Sequence, residues 1–181
     1  MALELNGTTG VSLVQDGVVT AADLSSTLDL TGKTVTLPAG VGGKVLQVVH
    51  EIITTEFIFN SSTYQDATNF NASITPTNSN STVLVMADVS YLLDNFNTGD
   101  TEIGFRIMRG ATSVFEGKIA AGYAGLIITS CPIKYEDSPA TTSATTYKLQ
   151  VKASSTYNNS RINHQGSYPA KSTLTLMEIA G

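Results

Sequence analysis

The sequence predicts an all-β protein whose larger part is a jelly-roll-like antiparallel β-sandwich. Short candidate strands follow one another from Lys44 to the C-terminus, and clusters of Gly, Asn, Ser or Pro separate them. No helical periodicity interrupts this series. Thr, Val and Ile, which fit a pleated and half-buried surface, are frequent along the chain, and 15 glycines among 181 residues provide for many turns.

Residues 1–43 are predicted to form a short extended or β anchor, or stalk, ahead of the sandwich. Asp16-Gly17 favours a small hairpin. The stretch "LDLTGKTVTLPAG" then alternates apolar and polar residues like a half-buried strand, and Gly40-Val41-Gly42-Gly43 follows it as a hinge. The domain boundary is therefore predicted between residues 1–43 and residues 44–181, and the second part is called the head from here on.

The apolar side of the stretch before the hinge has few candidate partners within the first 43 residues. We therefore expect it to be buried against further copies of the chain, three of which could wrap around one axis. The residues assigned to this oligomer or anchor contact are Leu28, Leu30, Val35 and Leu37.

The head contains eight candidate strands, which suits a two-sheet jelly roll. In chain order they are "KVLQVVHEIITTEFIF", "ATNFNASITP", "STVLVMADVSYLL", "TEIGFRIMRG", "TSVFEGKIA", "LIITSCPIKYED", "TTYKLQVKAS" and "STLTLMEIA".

Three of these strands allow finer predictions. In "TYKLQVKAS", Tyr147, Leu149 and Val151 share one face, and the polar residues between them make the other face wet. "STVLVMADVSYLL" is more continuously apolar and is expected to lie centrally with both faces covered. The link Arg109-Gly110-Ala111-Thr112 is short enough for a hairpin between its neighbours.

Charge and composition exclude several classes of partner. The net charge is -5, only 14% of residues are charged, and Lys and Arg form no stripe that could neutralise phosphates. Nucleic acid is therefore not an expected partner. The sequence has neither a signal-peptide pattern nor an apolar run long enough to enter a membrane.

The sequence predicts no catalytic residue, no metal ligand and no cofactor. His50 and His164 are far apart and lack spaced partners, so no zinc pattern exists. Cys131 is the single cysteine, which excludes an internal disulfide, and its apolar surroundings predict a buried small side chain.

The carboxylates in the sequence also predict neither a catalytic pair nor a calcium site. Glu136 and Asp137 are adjacent in a strand and point to opposite faces, so they cannot share a substrate. In "DNFNTGDTE", Phe96 stands where a calcium loop needs an oxygen ligand, which favours a hairpin loop.

The long polar segment from Ser154 to Lys171 is the candidate binding region, because long loops on a rigid sandwich often carry function. Its aromatic, amide and charged groups suit either sugar hydroxyls or a neighbouring subunit. We expect it to reach solvent at the distal end of the head. The candidate contact residues are Tyr157, Asn158, Asn159, Arg161, His164 and Tyr168.

Several segments resemble ones that recur in virion appendage proteins of tailed bacteriophages, notably those of marine cyanobacteria. They are "LDLTGKTVTLPAGVGGKVLQVV", "NFNASITPTNSNSTVLVM", "FRIMRGATSV", "YEDSPATTSATTYKLQVKA" and "STLTLMEIA". The resemblance implies a non-enzymatic structural protein on the exterior of the virion, made in the host cytoplasm. It also implies a fibre that attaches to other virion proteins through its N-terminal segment and displays a homotrimeric head.

Alternative functions remain open at this point. Similar modules occur in tail fibres, capsid fibres and decoration proteins. A carbohydrate-binding module that recognises a host surface glycan is a second class, and it overlaps with a fibre. A glycan depolymerase is a distant third, because the sequence nominates no pair of carboxylates for hydrolysis.

Overall fold

Ten β-strands make up the part of the chain that the computed structural model describes, which is residues 44–94, 101–121, 126–153, 160–166 and 169–181. The predicted anchor, residues 1–43, lies outside the described residues. The strands are β1 (Val45–Ile53), β2 (Phe57–Phe59), β3 (Gln65–Ile74), β4 (Thr82–Asp94), β5 (Thr101–Arg109), β6 (Thr112–Ala121), β7 (Leu126–Asp137), β8 (Thr145–Ala153), β9 (Ser160–Ile162) and β10 (Ser172–Ile179).

The strands form two antiparallel sheets, and the prediction of a jelly-roll-like all-β sandwich is confirmed. When the short β2 and β9 are set aside, the first sheet has the order β1-β10-β4-β7 and the second has the order β3-β8-β5-β6. The chain crosses repeatedly from one sheet to the other, and its first and last strands are neighbours in the same sheet. This order is that of a jelly roll, a double-sheet fold built from two Greek keys.

The two short strands were not predicted as separate elements. The first candidate strand is divided into β1 and β2 by residues 54–56, and β9 lies inside the segment predicted as a long loop. β9 pairs with both β2 and the far end of β4, so β2, β9 and β10 all belong to the first sheet. Three-residue strands carry too little hydrophobic periodicity to be recognised in a sequence.

The core lies between the two sheets and is filled by alternate residues of nearly every strand. Its largest fully buried side chains include Phe59, Phe70, Phe105 and Tyr147. In β8 the inward-facing residues are buried while the lysines and glutamine between them are half-buried, as its alternation predicts.

The predictions for the other strands are met to different degrees. β4 is central, because it pairs with β7 on one side and with β10 and β9 on the other, but its second face is not covered: Asp88 is exposed and Met86 is half-buried. β5 and β6 form the predicted hairpin, where Gly110 takes the positive φ of 56° that the tight turn requires. Cys131 is half-buried at the margin of the core rather than fully buried.

One buried ionic cluster joins β7 of the first sheet to β5 and β8 of the second sheet. Asp137 is buried and accepts hydrogen bonds from Arg109 Nη1 at 2.8 Å and from Tyr147 Oη at 2.6 Å. Glu136, its neighbour in β7, is exposed and accepts a hydrogen bond from Thr82 Oγ1 at 2.7 Å. The two carboxylates therefore point to opposite faces, as the strand geometry predicts.

A second buried carboxylate joins the two ends of the described chain. Glu178 of β10 is fully buried, and it accepts a hydrogen bond from Gln47 Nε2 of β1 at 2.6 Å. The backbone N–H and the hydroxyl of Thr77 also donate to it, each at 2.7 Å. Burial by itself raises the pKa of Glu178, but these hydrogen bonds to the ionised form outweigh it and lower the pKa to about 2.

Replacing this carboxylate should make the protein less stable and less sensitive to acid. Because the folded-state pKa lies below the ordinary value of 4.5, ionised Glu178 stabilises the fold above pH 4.5, and that stabilisation is lost as the pH falls toward 2. We expect Glu178→Gln to lower the free energy of unfolding at pH 7 by about 1.5–3 kcal/mol, the cost of mismatching a buried charged hydrogen-bond acceptor.

The measurement is denaturant unfolding of both proteins at neutral and acid pH. The difference between them should shrink as the pH falls through that window. Glu136→Gln, at an exposed carboxylate, is the matched control and should change stability by no more than about 0.5 kcal/mol. An undiminished difference at low pH would mean that Glu178 does not carry the acid dependence.

Candidate functional site

Two of the six predicted contact residues lie within the described part of the chain, and both contact the same carboxylate. Arg161 Nη1 is 3.0 Å from Glu56 Oε1, and His164 Nδ1 is 3.2 Å from the same oxygen. Tyr157, Asn158, Asn159 and Tyr168 lie outside the described residues, as do the four residues of the predicted oligomer contact.

The cluster of Glu56, Arg161 and His164 is held by β-structure rather than by a free loop. Arg161 belongs to β9, and Glu56 immediately precedes β2, the strand that pairs with β9. Burial raises the pKa of Glu56, but hydrogen bonds from Arg161 and His164 and the positive charge of Arg161 lower it overall. The cluster therefore fixes β2 against β9, which is a structural role for Arg161 that the sequence did not indicate.

A larger feature that the sequence reasoning missed is an apolar patch on the outer face of the first sheet. Antiparallel pairing aligns Val48 of β1, Met177 of β10 and Leu84 of β4 in one row across the sheet. The full patch, called the apolar face, consists of Val45, Val48, Ile52, Leu84, Met86, Met177 and Ile179.

The apolar face is most exposed along β1. Val45, Val48 and Ile52 are 48%, 50% and 60% exposed, although each is a large apolar side chain. On the same face, His50 and Thr175 form the row between Val48 and Ile52. Exposed large apolar side chains grouped on one sheet face often mark a contact with another protein. The signal was present in the sequence, because the runs in β1 and β4 are apolar at consecutive positions rather than at alternate ones.

Both edges of the first sheet, among the described strands, carry features that protect an edge strand from pairing with another chain. β7 lies at one edge and carries Pro132 and Lys134. β1 lies at the other edge and has an irregular register between Val45 and Gln47. The exposed apolar residues of β1 therefore favour a contact through the face of the sheet rather than through its edge.

The outer face of the second sheet is, by contrast, charged. Cross-strand pairing places Arg106 beside Glu116 of β6 and Gln150 of β8. Gln150 and Lys148 both donate to Asp66, at 2.6 and 2.7 Å. Since only 14% of the chain is charged, this face holds a large share of its charge.

The same charged face contains an open hollow of about 340 Å³, which is called the hollow below. It is lined by Tyr64, Glu102, Gly104, Glu116, Gly117, Lys118 and Lys152. The structure therefore brings two carboxylates, those of Glu102 and Glu116, to one depression. The sequence reasoning missed this pair because the residues belong to two strands whose register it could not assign.

The described residues provide little for metal or membrane chemistry. Within them, no group of three or more His, Cys, Asp or Glu side chains could hold a metal ion. Helices long and apolar enough to cross a membrane are also absent from the described ranges. The possible calcium loop falls largely on residues 95–100, outside those ranges.

No family model matches the sequence, and no curated protein matches it. Among solved structures, the chain is similar to a chain in the structure of the Gt strain of infectious bursal disease virus. The sequence identity is 15% and the TM-score is 0.40, over 82% of this chain and 42% of the virus chain. It is also similar to the VP2 subviral particle of this virus, at 14% identity and a TM-score of 0.37 over 88% of this chain and 46% of that one.

A third similar structure is the T13 particle of infectious bursal disease virus, at 13% identity and a TM-score of 0.41, over 82% of this chain and 40% of that one. The chain thus spans less than half the length of these virus chains. TM-scores this low do not establish a shared fold or a shared function. The assignment of the fold depends on the strand order of the molecule itself.

Substitution of Arg161 should reduce stability, because Glu56 would be left half-buried without its guanidinium partner. We expect Arg161→Ala to lower the free energy of unfolding by about 1 kcal/mol. Lys118→Ala is the matched control, since it breaks the exposed ion pair of Lys118 with Glu102, and it should have an effect of no more than about 0.5 kcal/mol. Equal effects of the two substitutions in denaturant unfolding would contradict a structural role for Arg161.

Proposed function

We propose that the chain is a virion structural protein, a fibre-like appendage that attaches through residues 1–43 and displays its jelly-roll head as a homotrimer for host attachment. The observation that carries this proposal is the apolar face, whose exposed β1 residues would be buried by self-assembly. The segments that resemble tailed-phage appendage proteins support the location on a virion.

The position of the apolar face in the chain favours assembly of like copies. β1 follows directly in sequence on the glycine hinge at residues 40–43 and on the predicted oligomer residues Leu28 to Leu37. We propose that the anchor and the apolar face both contribute to contacts between copies. Three copies converging on one axis would form a closed assembly rather than an open filament.

Polar groups border the apolar face as they do in protein interfaces. Leu84 and Met86 of β4 pair with Glu136 and Lys134 of β7 on the side away from β1. An apolar centre with a charged rim is the usual composition of a stable contact. The weak overall charge of the chain, -5 on 181 residues, gives little repulsion between copies.

A capsid decoration protein is the second candidate function. The same apolar face would then contact another capsid component, and the protein would stabilise the particle instead of binding a host. A carbohydrate-binding module without a structural role would not need the apolar face. We propose no enzymatic activity, because the sequence identifies no catalytic residue.

Light scattering on the full chain should give three times its mass of 19.0 kDa. Val48→Asp places a charge in the apolar face and should convert the trimer to monomers. Ile128→Asp is the matched control, since Ile128 is 55% exposed on β7 and lies outside the apolar face, and this variant should stay trimeric. A monomeric wild-type protein at micromolar concentration would contradict the trimer, and a trimeric Val48→Asp would contradict the assigned face.

Particles made with and without the chain distinguish the structural roles. We expect the chain in purified particles, and antibodies raised against the head should bind intact particles. Particles that lack it should lose adsorption to host cells while they keep their resistance to heat. Loss of heat resistance with normal adsorption would indicate a decoration protein instead, and absence of the chain from particles would contradict both roles.

A further inference from the structure

A glycine in the middle of a strand lies beneath the side chains that wall the hollow on the second sheet. Gly104 lies in β5 between Lys118 of β6 and Lys152 of β8. A Cβ atom at this position would lie 2.7 Å from Tyr64 Oη and 2.8 Å from Lys152 Cε, too close unless these side chains shift. Glycine in a strand interior often marks a close approach to the backbone, and here the side chains of Tyr64 and Lys152 make that approach.

The side chain of Tyr64 is held in place above this glycine by three charged neighbours. Its hydroxyl donates to Glu116 Oε1 at 2.8 Å. The guanidinium carbon of Arg106 is 4.1 Å from the ring centroid, and Lys152 Nζ is 4.5 Å from it. Such cation–π contacts fix the ring orientation, so the hollow keeps its shape without a ligand.

The hydroxyl of Tyr64 stays protonated over the whole physiological range. Burial raises its pKa to about 12, and the hydrogen bond and the negative charge of Glu116 act in the same direction. The phenol therefore presents a neutral ring and a polar group at the wall of the hollow.

The charges around the hollow are of both signs. Lys118 Nζ lies 2.9 Å from Glu102 Oε1, and Lys152 Nζ lies 4.0 Å from Glu116 Oε1. An anion that entered would face both carboxylates, and a cation would face both ammonium groups. A neutral ligand with many hydroxyls meets neither repulsion, because hydroxyls donate to carboxylates and accept from ammonium groups.

We propose that the hollow binds one sugar residue of a neutral glycan. Carboxylate and ammonium groups would bind the hydroxyls, and the lysine methylenes would contact the C–H surface of the pyranose. The volume of about 340 Å³ falls at the small end of the range of about 300–1,000 Å³ found for ligand pockets. This site is distinct from the segment Ser154 to Lys171, which the sequence predicted as the contact region.

The inference does not depend on the virion role or on the trimer. A monomeric protein that binds sugars would support the site while the proposed assembly failed, and a trimer that binds no sugar would do the reverse. The two proposals therefore fail separately.

The test is saturation-transfer NMR on the full chain with glucose, galactose, mannose, rhamnose and N-acetylglucosamine as separate probes. At least one sugar should receive saturation, with an affinity in the millimolar range, and its addition should shift the amide resonance of Gly104. Gly104→Ala forces the side chains of Tyr64 and Lys152 to shift at the wall of the hollow and should weaken binding by at least about tenfold. Lys118→Ala, at an exposed side chain, should weaken binding several-fold without affecting folding.

Lys148→Ala is the matched control, because Lys148 lies on the same outer face and bonds Asp66 at 2.7 Å but does not line the hollow. This variant should bind sugar like the wild type. The proposal is overturned if no probe receives saturation from the folded wild-type protein, or if Lys118→Ala and Lys148→Ala bind sugar equally well. Competition by sulfate or acetate at equal concentration would indicate an anion site and would also overturn it.

Discussion

The insertion of the C-terminal strand β10 between β1 and β4 is the contact on which the rest of the first sheet depends. β10 attaches β1 to the sheet, since no other described strand pairs with β1. The buried carboxylate of Glu178 ties this arrangement to Gln47 of β1 and to the Thr77 turn ahead of β4. A slip of one residue would move Glu178 outward and Met177 into the core, so the register has one strongly preferred solution.

That register also determines what the two outer faces of the head can do. With β10 in this position, Val48, Met177 and Leu84 align as one apolar row on the outer face of the first sheet. The second sheet has an exterior of lysine, arginine and carboxylate side chains around Tyr64 and Gly104. In the proposed assembly this apolar row would be buried, while the charged face of the second sheet would stay in solvent.

Whether a structural feature could be predicted from the sequence depends on how far apart in the sequence its interacting residues lie. The eight longer strands and the hairpin at Gly110 follow from local periodicity and turn chemistry, and the alternation "TYKLQVKAS" correctly assigns Tyr147 to the core. The ion pair of Arg161 with Glu56 and the hollow around Gly104 join residues distant in sequence. Such sites require the strand register, which single-sequence periodicity does not contain.

The incorrect expectation for β4 follows from the same limit and leads to the main functional point. A continuous apolar run predicts a strand with both faces covered, as in buried parallel sheets. In this antiparallel sheet one face of β4 is in the core, while Leu84 and Met86 remain half-buried on the outside. In the proposed assembly, further copies of the chain would cover the outer residues of β4. The sequence predicts the same kind of contact for Leu28 to Leu37, which lie outside the described residues.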